Sequence, residues 1–211
     1  MGIRRGREEL SDAPDRFVLN SAKKLRPAVF LDRDGTLIEE SGYLDRLDRL
    51  AIYPFAVDAV RLLNRAGFKV IVISNQSGIA RGLIRESFVA EAHAHISAYL
   101  SVGGALLDGF YYCPHHPDAS LAAFRQRCDC RKPAAGMLTA AAADHALDLS
   151  RSFVVGDRWA DVGAARAAGA KSVLVRTGYG REAEAAPRPG VTADLIADDL
   201  AGAAAWILRQ S

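Results

Sequence analysis

The sequence predicts an α/β chain: a doubly wound, mostly parallel, Rossmann-like sheet with helices on both faces. Three observations carry this. Short apolar, β-branched runs alternate with segments of helical period from residue 28 onward. The length of 211 residues, half of them hydrophobic, suits one domain with a real core. Polar turns holding carboxylates follow several of the apolar runs, and in such folds ligands gather at the carboxyl ends of the strands.

In chain order, residues 28–31 (AVFL) read as a buried strand. Residues 55–66 have helical periodicity and stop at Gly67, a C-cap residue. Residues 68–73 (FKVIVI) are a second strand, rich in β-branched side chains. A helix is expected over 86–100 and a short strand over 109–112. The Ala-rich stretch 133–147 reads as a helix with proline near its start. A strand over 152–155, a helix over 160–168 closed by Gly169, and a strand over 172–175 follow. Residues 182–190 read as a local loop, 193–197 as a last strand and 200–208 as a last helix. There is no internal repeat.

The composition excludes several classes. A net charge of +2 is too small to imply a nucleic-acid partner. No apolar run approaches the ~20 residues of a membrane span. The N-terminus has arginines but no apolar core, so it does not read as a secretory signal, and a cytoplasmic location is expected. Residues 1–27 read as a polar arm and 28–211 as the domain, in a monomer or small homo-oligomer. Three cysteines, an odd number, argue for metal or catalysis over a disulfide framework.

The strand ends carry the chemistry. After the first strand come Asp32, Arg33, Asp34, Gly35 and Thr36; after the second, Ser74, Asn75, Gln76, Ser77 and Gly78; after the fourth, Gly156, Asp157 and Arg158, with Asp161 beyond. Lys132 begins a further segment that can reach the same rim. Carboxylates converging there repel one another unless a cation joins them, and Mg²⁺ is the ion expected for hard oxygen ligands. Asp32 can then act as a nucleophile toward a phosphate. Ser74, Lys132 and backbone N–H groups can hold the phosphoryl oxygens, and Asp34 suits a general acid and later a base. The cysteines form C-x-H…C-x-C across residues 113–130. Cys113, His115, Cys128 and Cys130 match a closed tetrahedral structural zinc site, with His116 as a rival to His115. His93, His95 and His145 fall in predicted helices and are expected to pack or face solvent. The zinc loop ends in Arg131 and Lys132, so ordering it should position both.

DxDGT, a strand-end serine, a lysine and GDxxxD, in this order, resemble the four motifs of the haloacid-dehalogenase-like phosphatases, over nearly all of residues 28–208. The resemblance implies Asp32 as nucleophile, Asp34 as general acid and base, and Ser74 and Lys132 as phosphoryl stabilisers. It implies Mg²⁺ on Asp32, the backbone carbonyl of Asp34 and Asp157, with Asp161 one step removed. NQSGIARG and YYCPHHP are similar to the heptose-bisphosphate phosphatase group, whose relatives are histidinol-phosphate phosphatases. That likeness implies substrate contacts from Glu40, Ser41, Gly42, Tyr43, Asn75, Gln76, Ser77, Arg131 and Arg158. Arg158 stands where the group often has lysine, and Ser74 where threonine is common. The implied activity is removal of the 7-phosphate of D-glycero-D-manno-heptose 1,7-bisphosphate, a small phosphorylated sugar, through an aspartyl-phosphate. Histidinol-phosphate phosphatase is the runner-up, and a catalytically silent zinc-stabilised binding module a third reading. No large cap domain is inserted, so a compact open cleft is expected, covered only by 40–49 and 113–130.

Overall fold

Six strands lie in the order β3-β2-β1-β4-β5-β6 in a computed structural model that describes residues 25–210. They are β1 (Ala28–Leu31), β2 (Lys69–Asn75), β3 (Gly109–Cys113), β4 (Phe153–Gly156), β5 (Lys171–Val175) and β6 (Leu195–Ala197). Every neighbouring pair runs parallel. The helices are α1 (Ala56–Arg65), α2 (Ser77–Ala80), α3 (Glu86–Val102), α4 (Gly136–His145), α5 (Trp159–Ala168), α6 (Gly180–Ala185) and α7 (Leu200–Leu208).

Successive strand side chains point to opposite faces, and the core divides accordingly. Val29 and Leu31 of β1 join Val70 and Val72 of β2 and Val155 of β4 against α1, α3 and α7. Phe30 faces the other way, with Ile71, Ile73 and Val154, against α4 and α5. All four β1 residues are fully buried, which is why the strand reads as an unbroken apolar run. Chain direction across the sheet reverses between β1 and β4, and the crevice beyond their carboxyl ends is where such sheets take ligands.

Element ends differ from expectation by one or two residues, with two larger exceptions. The fourth helix begins at Gly136 instead of residue 133, because 131–134 forms a turn (Ala134 N–H to Arg131 O, 2.9 Å) that Asn75 holds from β2. The expected loop over 182–190 is partly helical: α6 runs to Ala185 before Pro187 forbids continuation. The expected arm lies mostly outside the described residues. Its end pairs with the domain, Arg26 N–H donating to Ala146 O at 3.1 Å. Among the described residues no helix is long and apolar enough to cross a membrane.

Candidate active site

A cleft of about 830 Å³ opens over the carboxyl ends of β1, β2 and β4. Asp32 directly follows β1 and Ser74 is the penultimate residue of β2, and both line the cleft; Asp157 directly follows β4 and is fully buried. Carboxylate oxygens of Asp32, Asp157 and Asp161 lie within 4.8 Å of one another, all three residues buried. Lys132 Nζ reaches Asp32 Oδ1 at 2.9 Å, Asp161 Oδ1 at 2.5 Å and the Ile73 carbonyl at 3.0 Å.

Burial raises the Asp32 carboxyl well above its ordinary value; Lys132 opposes this, and Asp161, Asp157 and Asp34 add to it. Burial, then Asp161, pushes Asp157 up to about 7. Burial disfavours the Lys132 ammonium too, but Asp161 and Asp32 outweigh it and hold the lysine protonated. Asp157 Oδ1 is buried with no hydrogen-bond partner. A cluster this acidic, with an orphaned oxygen, fits a hard divalent cation.

The turn around Asp157 requires glycine. Gly35 (φ 76°) and Gly178 (φ 53°) both pack on it, and a Cβ on either would come within 2.2 Å of Asp157 Oδ2. Thr177 Oγ1 donates to Gly35 O at 2.6 Å and Tyr179 N–H to Asp157 Oδ2 at 2.8 Å. The loop after β5 thus clasps the turn after β1 around one carboxylate.

Asp34 sits in a different environment. Arg33, buried to 2% side-chain exposure, grips it from Nε (3.2 and 3.1 Å) and Nη2 (2.9 Å). Gln76 Nε2 donates to Asp34 Oδ2 at 3.1 Å and to Ser74 Oγ at 2.6 Å, and Ser74 Oγ lies 3.5 Å from Asp34 Oδ2. The Asp34 side chain is therefore held apart from the three-carboxylate cluster.

Of the residues expected to meet a substrate, Glu40, Gly42, Tyr43, Asn75, Gln76, Ser77, Arg131 and Arg158 line the cleft. Ser41 does not; its carbonyl accepts from Arg49 at 2.8 Å. Asn75 exchanges hydrogen bonds with the backbone of Lys132 (3.1 and 3.0 Å). So Lys132 has an anchor on β2, and Arg131 donates to His115 O of the cysteine loop at 3.2 Å.

In that loop the Cys113, Cys128 and Cys130 sulfurs lie 3.1–3.5 Å apart, and His115 Nδ1 is 3.4 Å from Cys130 and 3.9 Å from Cys113. A tetrahedral ion with zinc–sulfur bonds of ~2.3 Å spaces its sulfur ligands about 3.8 Å apart. The four atoms converge as such a site requires, with the sulfurs somewhat closer together than an ion would hold them, and His115 rather than His116 is in the set. Burial pushes the Cys113 and Cys130 thiols up; Cys128 is lowered despite burial, by hydrogen bonds from Cys130 and Cys113. A bound cation would favour the thiolate at all three. His93 packs inside, its ring stacked 4.3 Å from Phe110.

Sequence reasoning overlooked Arg33, which looked like the free position of a DxD, and the segment Tyr179 to Arg188. Tyr179, Glu182 and Arg188 line the cleft, and the Arg158 guanidinium lies 3.7 Å over the Tyr179 ring. The available signal was position: RTGYG also follows a strand end on the same rim.

Residues 129–203 match the HAD-hydrolase-like family model. The chain is 46% identical to D-glycero-D-manno-heptose-1,7-bisphosphate 7-phosphatase of Thermosynechococcus vestitus, over 86% of this chain and 95% of that one. It is 45% identical to D-glycero-beta-D-manno-heptose-1,7-bisphosphate 7-phosphatase of Escherichia coli K12, over 72% and 80%. The fold superposes on the crystal structure of D,D-heptose 1,7-bisphosphate phosphatase from B. bronchiseptica, complexed with magnesium and phosphate. The TM-score is 0.77, at 33% identity, covering 88% of this chain and 99% of that one.

Proposed function

Since the chain belongs to the D-glycero-D-manno-heptose-1,7-bisphosphate 7-phosphatase family of HAD-like hydrolases, we propose that it hydrolyses the 7-phosphate of that sugar bisphosphate. The carrying observation is Asp32, lining the cleft, with Lys132 at 2.9 Å and two further buried carboxylates beside it. Asp32 attacks phosphorus and the bond to the sugar oxygen breaks. Asp34 delivers a proton to that oxygen, then takes one from the water that cleaves the aspartyl-phosphate. Lys132 and Ser74 hold the phosphoryl oxygens. Asp32, the Asp34 carbonyl and Asp157 would hold Mg²⁺, with Asp161 tying Lys132 in place; the bound ion supplies positive charge against the incoming phosphate. Cys113, His115, Cys128 and Cys130 would hold a structural zinc. The product is a sugar monophosphate suited to nucleotide activation for surface-glycan synthesis.

The test is steady-state hydrolysis of both heptose 1,7-bisphosphate anomers and of histidinol phosphate. The expected result is kcat/KM for a heptose bisphosphate exceeding that for histidinol phosphate by a factor of 100 or more, on the order of 3 kcal/mol of discrimination. A preference for histidinol phosphate overturns the assignment.

A further inference from the structure

The cations of the cleft divide into two kinds. Lys132 is saturated by Asp32 and Asp161, and Arg33 by Asp34. Arg158 meets no carboxylate closer than Glu40, 3.8 Å away, and its side chain is half exposed. Arg188, on the same wall, has no side-chain partner among the described residues. Guanidinium groups with only a distant carboxylate, or none, in a concave site are suited to an anion other than the one at the reaction centre.

Arg158 is nevertheless not free to wander. Its guanidinium lies 3.7 Å over the ring of Tyr179. That ring is itself anchored, since the Tyr179 N–H binds Asp157 and Trp159 Nε1 donates to Ala183 O (2.7 Å) and Ala186 O (3.1 Å), tying α6 to α5. Arg176 braces α6 from the other side, with bonds of 2.7 and 2.8 Å to Glu184. The segment from Tyr179 to Arg188 is thus a braced wall. A stacked guanidinium keeps its edge N–H donors available while its side-chain entropy is already reduced.

We propose that Tyr179 is a positioning residue for substrate specificity: it presents Arg158, together with Arg188, to the phosphate that the reaction leaves on the sugar. This rests on the bisphosphate reading above and deepens it. The cleft would then select substrates carrying a second phosphate that reaches the Tyr179–Arg188 segment.

The experiment compares the heptose 1,7-bisphosphate with the matching 7-monophosphate, in the wild-type protein and in Tyr179→Leu, Tyr179→Phe, Arg188→Ala and Arg131→Ala. Losing the stack should raise KM for the bisphosphate about fivefold to tenfold in Tyr179→Leu, with a much smaller change in kcat. KM for the monophosphate should move little, and Tyr179→Phe, which keeps the ring, should restore the bisphosphate value. Arg188 is exposed, so Arg188→Ala reports even if Tyr179→Leu fails to fold, and it should show the same substrate-selective rise. Equal losses on both substrates, or no rescue by phenylalanine, overturn the proposal. So does a bisphosphate-selective penalty confined to Arg131→Ala, which assigns the retained phosphate to Arg131 instead. If the wild-type protein does not hydrolyse the bisphosphate at all, the functional reading falls, and this inference with it.

Discussion

Asp32 and Asp34, one residue apart, occupy opposite electrostatic settings. Asp32 shares its site with two buried carboxylates and one lysine, whereas Asp34 is gripped by a buried guanidinium and an amide. Asp32→Asn should lower kcat by at least about 10³-fold in steady-state assays while the far-UV spectrum is kept, because the amide cannot attack phosphorus; retained turnover would favour a catalytically silent module. Lys132→Met should lower stability by about 3–5 kcal/mol in denaturant unfolding, because it leaves Asp32 and Asp161 buried without their cation. His93 is a separate acid-sensitive point. Burial, and after it Arg33, pushes His93 down to about 4 from an ordinary 6.5, and Nε2 has no partner. Between these values the unfolded chain binds a proton that the folded one refuses. Stability from this group therefore falls as pH drops from 6.5 to 4, by up to about 3 kcal/mol. Thermal melts of His93→Phe across that range should lose most of this slope; an unchanged slope would place the acid sensitivity elsewhere.

The element that most needs a ligand is the cysteine loop. Its liganding atoms come from the end of β3 and just beyond it and from the segment before Lys132, and between them, over residues 116–127, Ala119 is the single buried residue. Arg131 depends on the loop through His115 O, whereas Lys132 is held by Asn75 and Ile73. Removing zinc with a chelator, or making Cys128→Ser, should therefore raise KM several-fold more than it lowers kcat. Limited proteolysis should show faster cleavage between residues 113 and 130. Unchanged kinetics and cleavage in zinc-free protein would refute a structural role for the ion. The sequence placed zinc and Lys132 on one mechanical chain; the structure adds a second hold on Lys132, because the amide of Asn75 reaches its backbone from β2.

At the scale of the molecule, the sheet concentrates acidic groups at the adjacent carboxyl ends of β1 and β4, and stability is coupled to the ion that joins them. Asp157, raised from 3.8 to about 7, binds a proton in the folded state that the unfolded chain has lost. Metal-free protein should thus lose stability at this site as pH rises from about 4 to 7, opposite in sign to the His93 effect. Mg²⁺ should restore stability near pH 7, seen as a rise in Tm with ion concentration. Asp157→Asn should raise the metal-free Tm, abolish the Mg²⁺ response and abolish turnover. An equal Mg²⁺ response in that variant would remove Asp157 from the metal set.

Alternation of apolar and helical periods in the sequence determined the parallel layered fold, because strands covered on both faces must be apolar at nearly every position. The spacing of Asp32, Asp34, Ser74, Lys132 and Asp157 relative to strand ends brought the reaction centre into view, since all parallel strands end on one rim. Only the tertiary structure decided which polar groups touch. Arg33 turns inward to hold Asp34, Asn75 serves Lys132, and Tyr179 meets Arg158 from the turn after a strand that reads as ordinary. Periodicity reports which side of an element is buried. It carries no information about contacts between loops more than 20 residues apart in sequence, as Arg158 and Tyr179 are, which arise only when the sheet closes the distance.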